Sequence, residues 1–197
     1  MVVRARTFAD GLVASPDVQQ LYSLVQESLL GFDSNLPLVV FNSYQRFDVQ
    51  EDGLGFSRGH LFTIERGFDG RTRFGDAPIV AEQARFRSRG ESSSRQKKKN
   101  WNVEVQNPDG SGRSVEILGM PSESDWVFYA PHDFAASLMR NVFIYELGNQ
   151  LNRYAPRTRF AEVVVNFIDE PLSEEHYMGV YVIMEKIKRD EQRINIY

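Results

Sequence analysis

The chain has 197 residues, a formal net charge of −4, and 42% hydrophobic and 12% aromatic content. That is length for one generous domain or a domain with an appendage, with enough apolar material to bury a core instead of remaining disordered. The acidic balance argues against a nucleic-acid partner, which demands a broad basic face, and the lack of cysteine excludes disulfides, thiolate zinc sites and a cysteine nucleophile. No stretch reaches the roughly 20 apolar residues of a membrane span, and the first residues lack the apolar run of a signal peptide.

Residues 2–8 (VVRARTF) alternate apolar and polar side chains, as a half-buried strand does, and ADG follows as a turn. The next segment, DVQQLYSLVQESLLG, fits either a strand or a short helix carrying Leu21, Leu24, Val25 and Leu29 on one side. LPLVVFNSY is a short apolar run headed by proline, and GHLFTIERG alternates before a Gly-rich loop, so both read as strands. PIVAEQARFRSRG continues the β pattern: Ala84 and Phe86 face inward while Arg85, Arg87 and Arg89 share the opposite face. KKKNWNVEVQ resumes alternation with Trp101, Val103 and Val105 together, and the NPDGSG turn precedes RSVEILGM. PHDFAASLMRNVFIYELGNQL reads as a helix N-capped by Asp133, with apolar rows wide enough to predict burial on more than one side. FAEVVVNFID and GVYVIMEKIKR read as strands, and RINIY ends the chain in strand-like sequence. The expected fold class is α+β, an antiparallel sheet with one main buried helix.

Charge is concentrated in RFRSRGESSSRQKKKNW, residues 85–101, where seven Lys or Arg meet one acid and leave about −10 for the rest of the chain. Glycine and hydroxyls between two strands, flanked by cations, are the physical recipe for cradling phosphate with backbone N–H groups and charged side chains. The bland alternative is a solvated basic face. No Walker loop and no GxGxxG stands here. Alternation sends Lys97 and Lys99 to one face and Lys98 to the other, so at most one of the adjacent pair Lys98 and Lys99 points into any cleft. Glu146, in the middle of the expected buried helix, needs a basic partner, and Glu185 ends a buried strand just ahead of Lys186, Lys188 and Arg189. Arg140 lies on the same helix as Glu146. His60, His132 and His176 show no metal spacing, and no GxSxG elbow surrounds the serines.

Taken together, FRSRGESSSRQKKKNWNVEV, LGMPSESDWVFYAPHDFAASLMRNVFIYEL, YAPRTRFAEVVVN and MGVYVIMEKIKRDEQRINI resemble, in order, the CotH family of spore-coat and surface proteins that are atypical protein kinases. The resemblance spans roughly 36–197. Residues 2–22 also resemble the last strands of the small β-sandwich appended to chitobiase and β-hexosaminidase. The expected organisation is therefore 1–30, a remnant of that sandwich plus a linker, and 31–197, the N-terminal part of a CotH kinase-like domain.

The resemblance implies a kinase-like N-terminal lobe that binds ATP with Mg2+ and serves phosphorylation of Ser or Thr in surface or spore-coat proteins. Carried onto this chain, Gly90, Ser92 and Ser93 form the phosphate-covering turn and Lys98 or Lys99 contacts phosphate. Glu146 is the helix partner of that lysine, Glu185 its rival, and Arg89 and Arg140 are supporting residues. The family's catalytic and magnesium-binding aspartates are expected beyond Tyr197, so the chain reads as cut inside the kinase domain. It carries no metal ligands of its own on this reading, and the resemblance places the parent protein in a bacterial spore coat, on a cell surface or among secreted proteins. The alternative is a non-catalytic structural or adhesive module whose basic block meets an acidic partner.

Overall fold

A computed structural model describes residues 2–13, 15, 18–43, 55–91, 93, 96–131, 139–168 and 170–195. Two short strands, β1 (Val2–Ala5) and β2 (Val18–Leu21), pair antiparallel. The main body is β3 (Leu38–Ser43), β4 (Ser57–Ile64), β5 (Val80–Arg89), β6 (Asn100–Gln106), β7 (Val115–Ile117), β8 (Met120–Glu123), β9 (Asp125–Tyr129), α1 (Arg140–Gln150), β10 (Thr158–Asn166) and β11 (Tyr177–Glu185).

Seven of these strands close into a barrel in the order β10–β11–β9–β6–β5–β4–β3, sealed by a parallel pairing of β3 with β10. The other neighbours run antiparallel. Antiparallel register fixes two mouths. At the upper one stand Ser43, Ser57, Arg89, Asn100, Tyr129, Asn166 and Tyr177; at the lower stand Ile64, Val80, Gln106, Asp125, Thr158 and Glu185.

The two-residue side-chain period explains the packing. Alternate residues of each strand point into the barrel: Val39 and Phe41, Ala84 and Phe86, Trp101 and Val103, Trp126 and Phe128, Ala161 and Val163, Tyr181 and Ile183. Phe86 is the hub, 3.8 Å from Phe41 and edge-on to Phe128 at 5.2 Å between centroids. The β7–β8 hairpin turns on Leu118 and Gly119, both at positive φ, and adds Ile117 and Met120 to the same core. A second cluster lies outside the barrel, where Leu38, Val40, Phe62, Ile64 and Val164 are covered by Leu21, Leu29 and Leu172. Gly59 lets β3 and β4 approach, for a Cβ there would sit 2.4 Å from the Asn42 carbonyl oxygen.

This architecture corrects the α+β expectation of a kinase-like N-terminal lobe, an antiparallel sheet resting on one main buried helix. The strands expected around 36–43, 57–64, 80–89 and 100–106 are present, and Ala84 and Phe86 do oppose Arg85, Arg87 and Arg89. The difference comes from β9, DWVFY, which sequence reading left unassigned. It bridges β6 and β11, and together with the β3–β10 pairing it turns an open sheet into a closed one. Once closed, the sheet supplies its own core and needs no helix to cover it.

The helix is accordingly short and surface-lying. α1 runs beside β10 with Met139 before its first described turn, and none of its residues is buried. Phe143, Ile144 and Leu147 are exposed and Val142 and Tyr145 half-buried, so the described part of the apolar rows does not enter a core. Asp133 falls outside the described residues. The strand-like RINIY reduces to a bridge between Ile194 and Arg189, its last two residues again lying outside the described residues.

Candidate functional site

The upper mouth collects most of the basic block. Gly90, at φ 89°, turns the chain out of β5, and a Cβ there would fall 2.1 Å from Ser93 Oγ. The glycine therefore makes room for the serine hydroxyl. That hydroxyl accepts from Asn100 Nδ2 at 3.1 Å, and Asn100 Oδ1 accepts from the Ala130 amide at 2.7 Å, which ties the turn to the end of β9.

Lys98 is the one of the adjacent pair that turns inward. Its ammonium donates to the Val180 carbonyl at 2.5 Å and lies over the Tyr181 ring, 4.7 Å from the centroid. On the β9 side Val180 meets no strand partner, because β9 stops pairing with β11 at Val182. Burial pushes the Lys98 ammonium below the usual lysine range, with the Glu162 carboxylate pulling the other way. Lys99 contributes its backbone carbonyl, which accepts from the Tyr181 hydroxyl at 3.0 Å; burial raises that phenol to about 12, so it stays a donor. Lys97 and Arg89 are exposed at the same mouth.

The remaining residues singled out by sequence lie elsewhere. Arg140 and Glu146 are exposed on α1, where Glu146 Oε1 accepts from Gln150 Nε2 at 3.0 Å. Glu185 is fully buried at the lower mouth, six positions along β11 from Gly179, which is about 20 Å of strand. Neither glutamate is brought to Lys98. Ser92 lies outside the described residues.

What holds Glu185 is an ionic cluster that sequence reading missed. Its Oε1 accepts from Arg157 Nη1 at 2.7 Å and its Oε2 from the Arg157 amide at 2.9 Å. Arg193, its side chain 1% exposed, stands 3.9 Å from Glu185 and 3.8 Å from Glu123, donates to the Lys186 and Asp125 carbonyls, and faces the Trp126 ring. Lys188 bridges Glu123 at 2.7 Å and Asp125 at 2.8 Å, and Lys186 reaches Asp125 at 3.1 Å. Burial would raise the Glu123 and Asp125 carboxyls, but Lys188 and the neighbouring donors outweigh it and hold both below the usual range. The available signal was the run of alternating charge in EKIKRDEQR after an apolar strand. Among the described residues, no group of three or more His, Asp or Glu could hold a metal ion, and no helix is long and apolar enough to cross a membrane.

Fold and site together define a closed β-barrel with a lysine drawn into one mouth and a buried ion-pair cluster sealing the other. The family model of the CotH kinase protein matches residues 86–196, more than half of the chain, and takes in both ends of that barrel. This chain belongs to the CotH family. A search of the curated proteins found no match.

Proposed function

We propose that the chain supplies the nucleotide-binding portion of a CotH-type Ser/Thr protein kinase, with Lys98 as the phosphate-contacting lysine. The observation that carries this reading is the half-buried Lys98 ammonium held at the Val180 carbonyl over the Tyr181 ring, within the matched segment and at the barrel mouth where Gly90 ends β5. An ammonium has three donors, and Val180 engages one of them, so donors remain for a phosphate oxygen. Burial disfavours the charged lysine, and an incoming polyphosphate supplies the compensating charge. Lys97, Lys99 and Arg89 add positive potential at the mouth, steering the anion without fixing its geometry.

Lys98 and the cations around it suit the phosphates of a nucleotide, and no group of three or more acidic or histidine side chains stands ready for its metal among the described residues. ATP as its Mg2+ complex would bring the transferable phosphoryl group, and this chain's own residues would hold the phosphates and keep the Lys98 proton in place. The phosphorylated partner on this reading is a Ser- or Thr-containing coat or surface protein. Calorimetry with ATP and Mg2+ tests the proposal on the wild-type chain and on Lys98→Ala and Lys99→Ala separately. Binding weakened at least about tenfold by Lys98→Ala, and much less by Lys99→Ala, is the expected result. A folded wild-type chain that binds no ATP, or a folded Lys98→Ala variant that binds as wild type, overturns it.

A further inference from the structure

On the outer face of the barrel, at the upper-mouth end of β4 and β5, the register assembles arginines on neighbouring strands. Arg58 of β4 is directly opposite Arg85 of β5, which is opposite Glu104 of β6, while Arg87 is opposite Asn102 and Arg89 opposite Asn100. Phe62 and Ala81 pack in the outer cluster and share strand parity with Arg58 and with Arg85, Arg87 and Arg89. All four guanidiniums therefore belong to the outer face. Glu104 is bound by Arg85 Nε at 2.9 Å. Arg58, Arg87 and Arg89 form no ion pair among the described residues. The Phe56 ring carries Arg85 at 4.2 Å and Arg87 at 4.9 Å from its centroid, which presents both guanidiniums as fixed planes.

Like charges directly opposite on a sheet are destabilising, and this chain sets Arg58 against Arg85 with one bonded carboxylate beside them. An external anion removes that repulsion. Successive outward side chains of β5 repeat every two residues, about 6.8 Å, which is also the repeat of side chains on one face of an extended peptide. β5 is paired on both sides, so a ligand meets the arginine side chains and not a free strand edge. The negative charge of the rest of the chain repels a long nucleic acid that would outrun the patch, and favours a short acidic segment confined to it.

We infer that the outer face of β4, β5 and β6, through Arg58, Arg85 and Arg87 on the Phe56 platform, docks an extended acidic segment of a partner protein with a carboxylate at every second residue. This inference is independent of nucleotide binding. The test is fluorescence anisotropy with a labelled peptide of alternating Glu and Ser, a Gln and Ser control, and a labelled oligothymidine. The chains compared are wild type, Arg58→Gln/Arg87→Gln and Lys98→Ala; Arg89 is left intact because it also stands at the phosphate mouth.

Expected is saturable binding of the acidic peptide that weakens at least about tenfold between about 20 and 200 mM salt. The double variant should lose at least about tenfold, Lys98→Ala should bind unchanged, and the Gln peptide should not bind. Equal binding by the double variant, equal binding of the Gln peptide, or tighter binding of oligothymidine with the same arginine dependence overturns the inference. Both arginines are on the surface, and an unchanged melting temperature of the double variant shows that the comparison is between folded chains.

Discussion

Replacing Glu185 by Gln keeps the size of the side chain and removes its charge. The native carboxylate accepts from Arg157 Nη1 and from the Arg157 amide and is fully buried, so the variant must present an NH2 group to one of these donors. One charge-assisted hydrogen bond is lost and one donor is left facing a donor, at about 1.5–3 kcal/mol each. Arg157 is partly exposed and recovers some hydration, whereas Arg193 is sealed and retains only Glu123 as a neighbouring carboxylate. The sum falls at about 3–5 kcal/mol, in the range for removing one partner of a buried ion pair. Urea unfolding followed by tryptophan fluorescence measures it. With a slope of about 2 kcal/mol per molar, the midpoint should fall by about 1.5–2.5 M at unchanged slope. A loss below about 1 kcal/mol would refute the reasoning that this buried ion-pair cluster seals the lower mouth.

Other outcomes follow from single contacts. Gly59→Ala forces a Cβ to within 2.4 Å of the Asn42 carbonyl oxygen, so it should destabilise by more than about 3 kcal/mol in urea titration, whereas Gly90→Ala displaces a serine hydroxyl and should lose about 1–2 kcal/mol through its left-handed backbone. Phe86→Ala empties the hub of the barrel and should lose about 3–5 kcal/mol in the same titration. His60 is buried and its pKa is pushed down to about 4, so the unfolded chain takes up the proton first as pH falls. Its contribution is complete above pH 6.5 and declines towards pH 4, by about 2 kcal/mol between pH 7.5 and 5, and His60→Asn should remove that slope from urea midpoints measured across the interval. Glu123 and Asp125 have lowered pKa values, so their stabilisation is present above the ordinary carboxylate range and is lost as pH falls through the lower folded values; circular dichroism should show acid unfolding setting in below about pH 4.

Sequence alone determined the strands whose two faces differ chemically. Phe86 beside Arg85 and Arg87, and Trp101 beside Asn102, declare their inward and outward sides because the side-chain period is two and one face is apolar. The order of the RG, SS and KK motifs likewise carried the family, since motif order is a property of the chain. Tertiary structure decided what depends on which strand lies next to which. Closure through β9 and the β3–β10 pairing is set by contacts between segments far apart in sequence, and it moved the core inside the barrel and left α1 on the surface. The same pairing separated Lys98 from Glu185 by most of the length of β11 and turned Lys98 inward ahead of Lys99. It also brought Arg193 under Trp126. No local pattern encodes such juxtapositions, because each depends on the register of strands that meet only when the barrel closes.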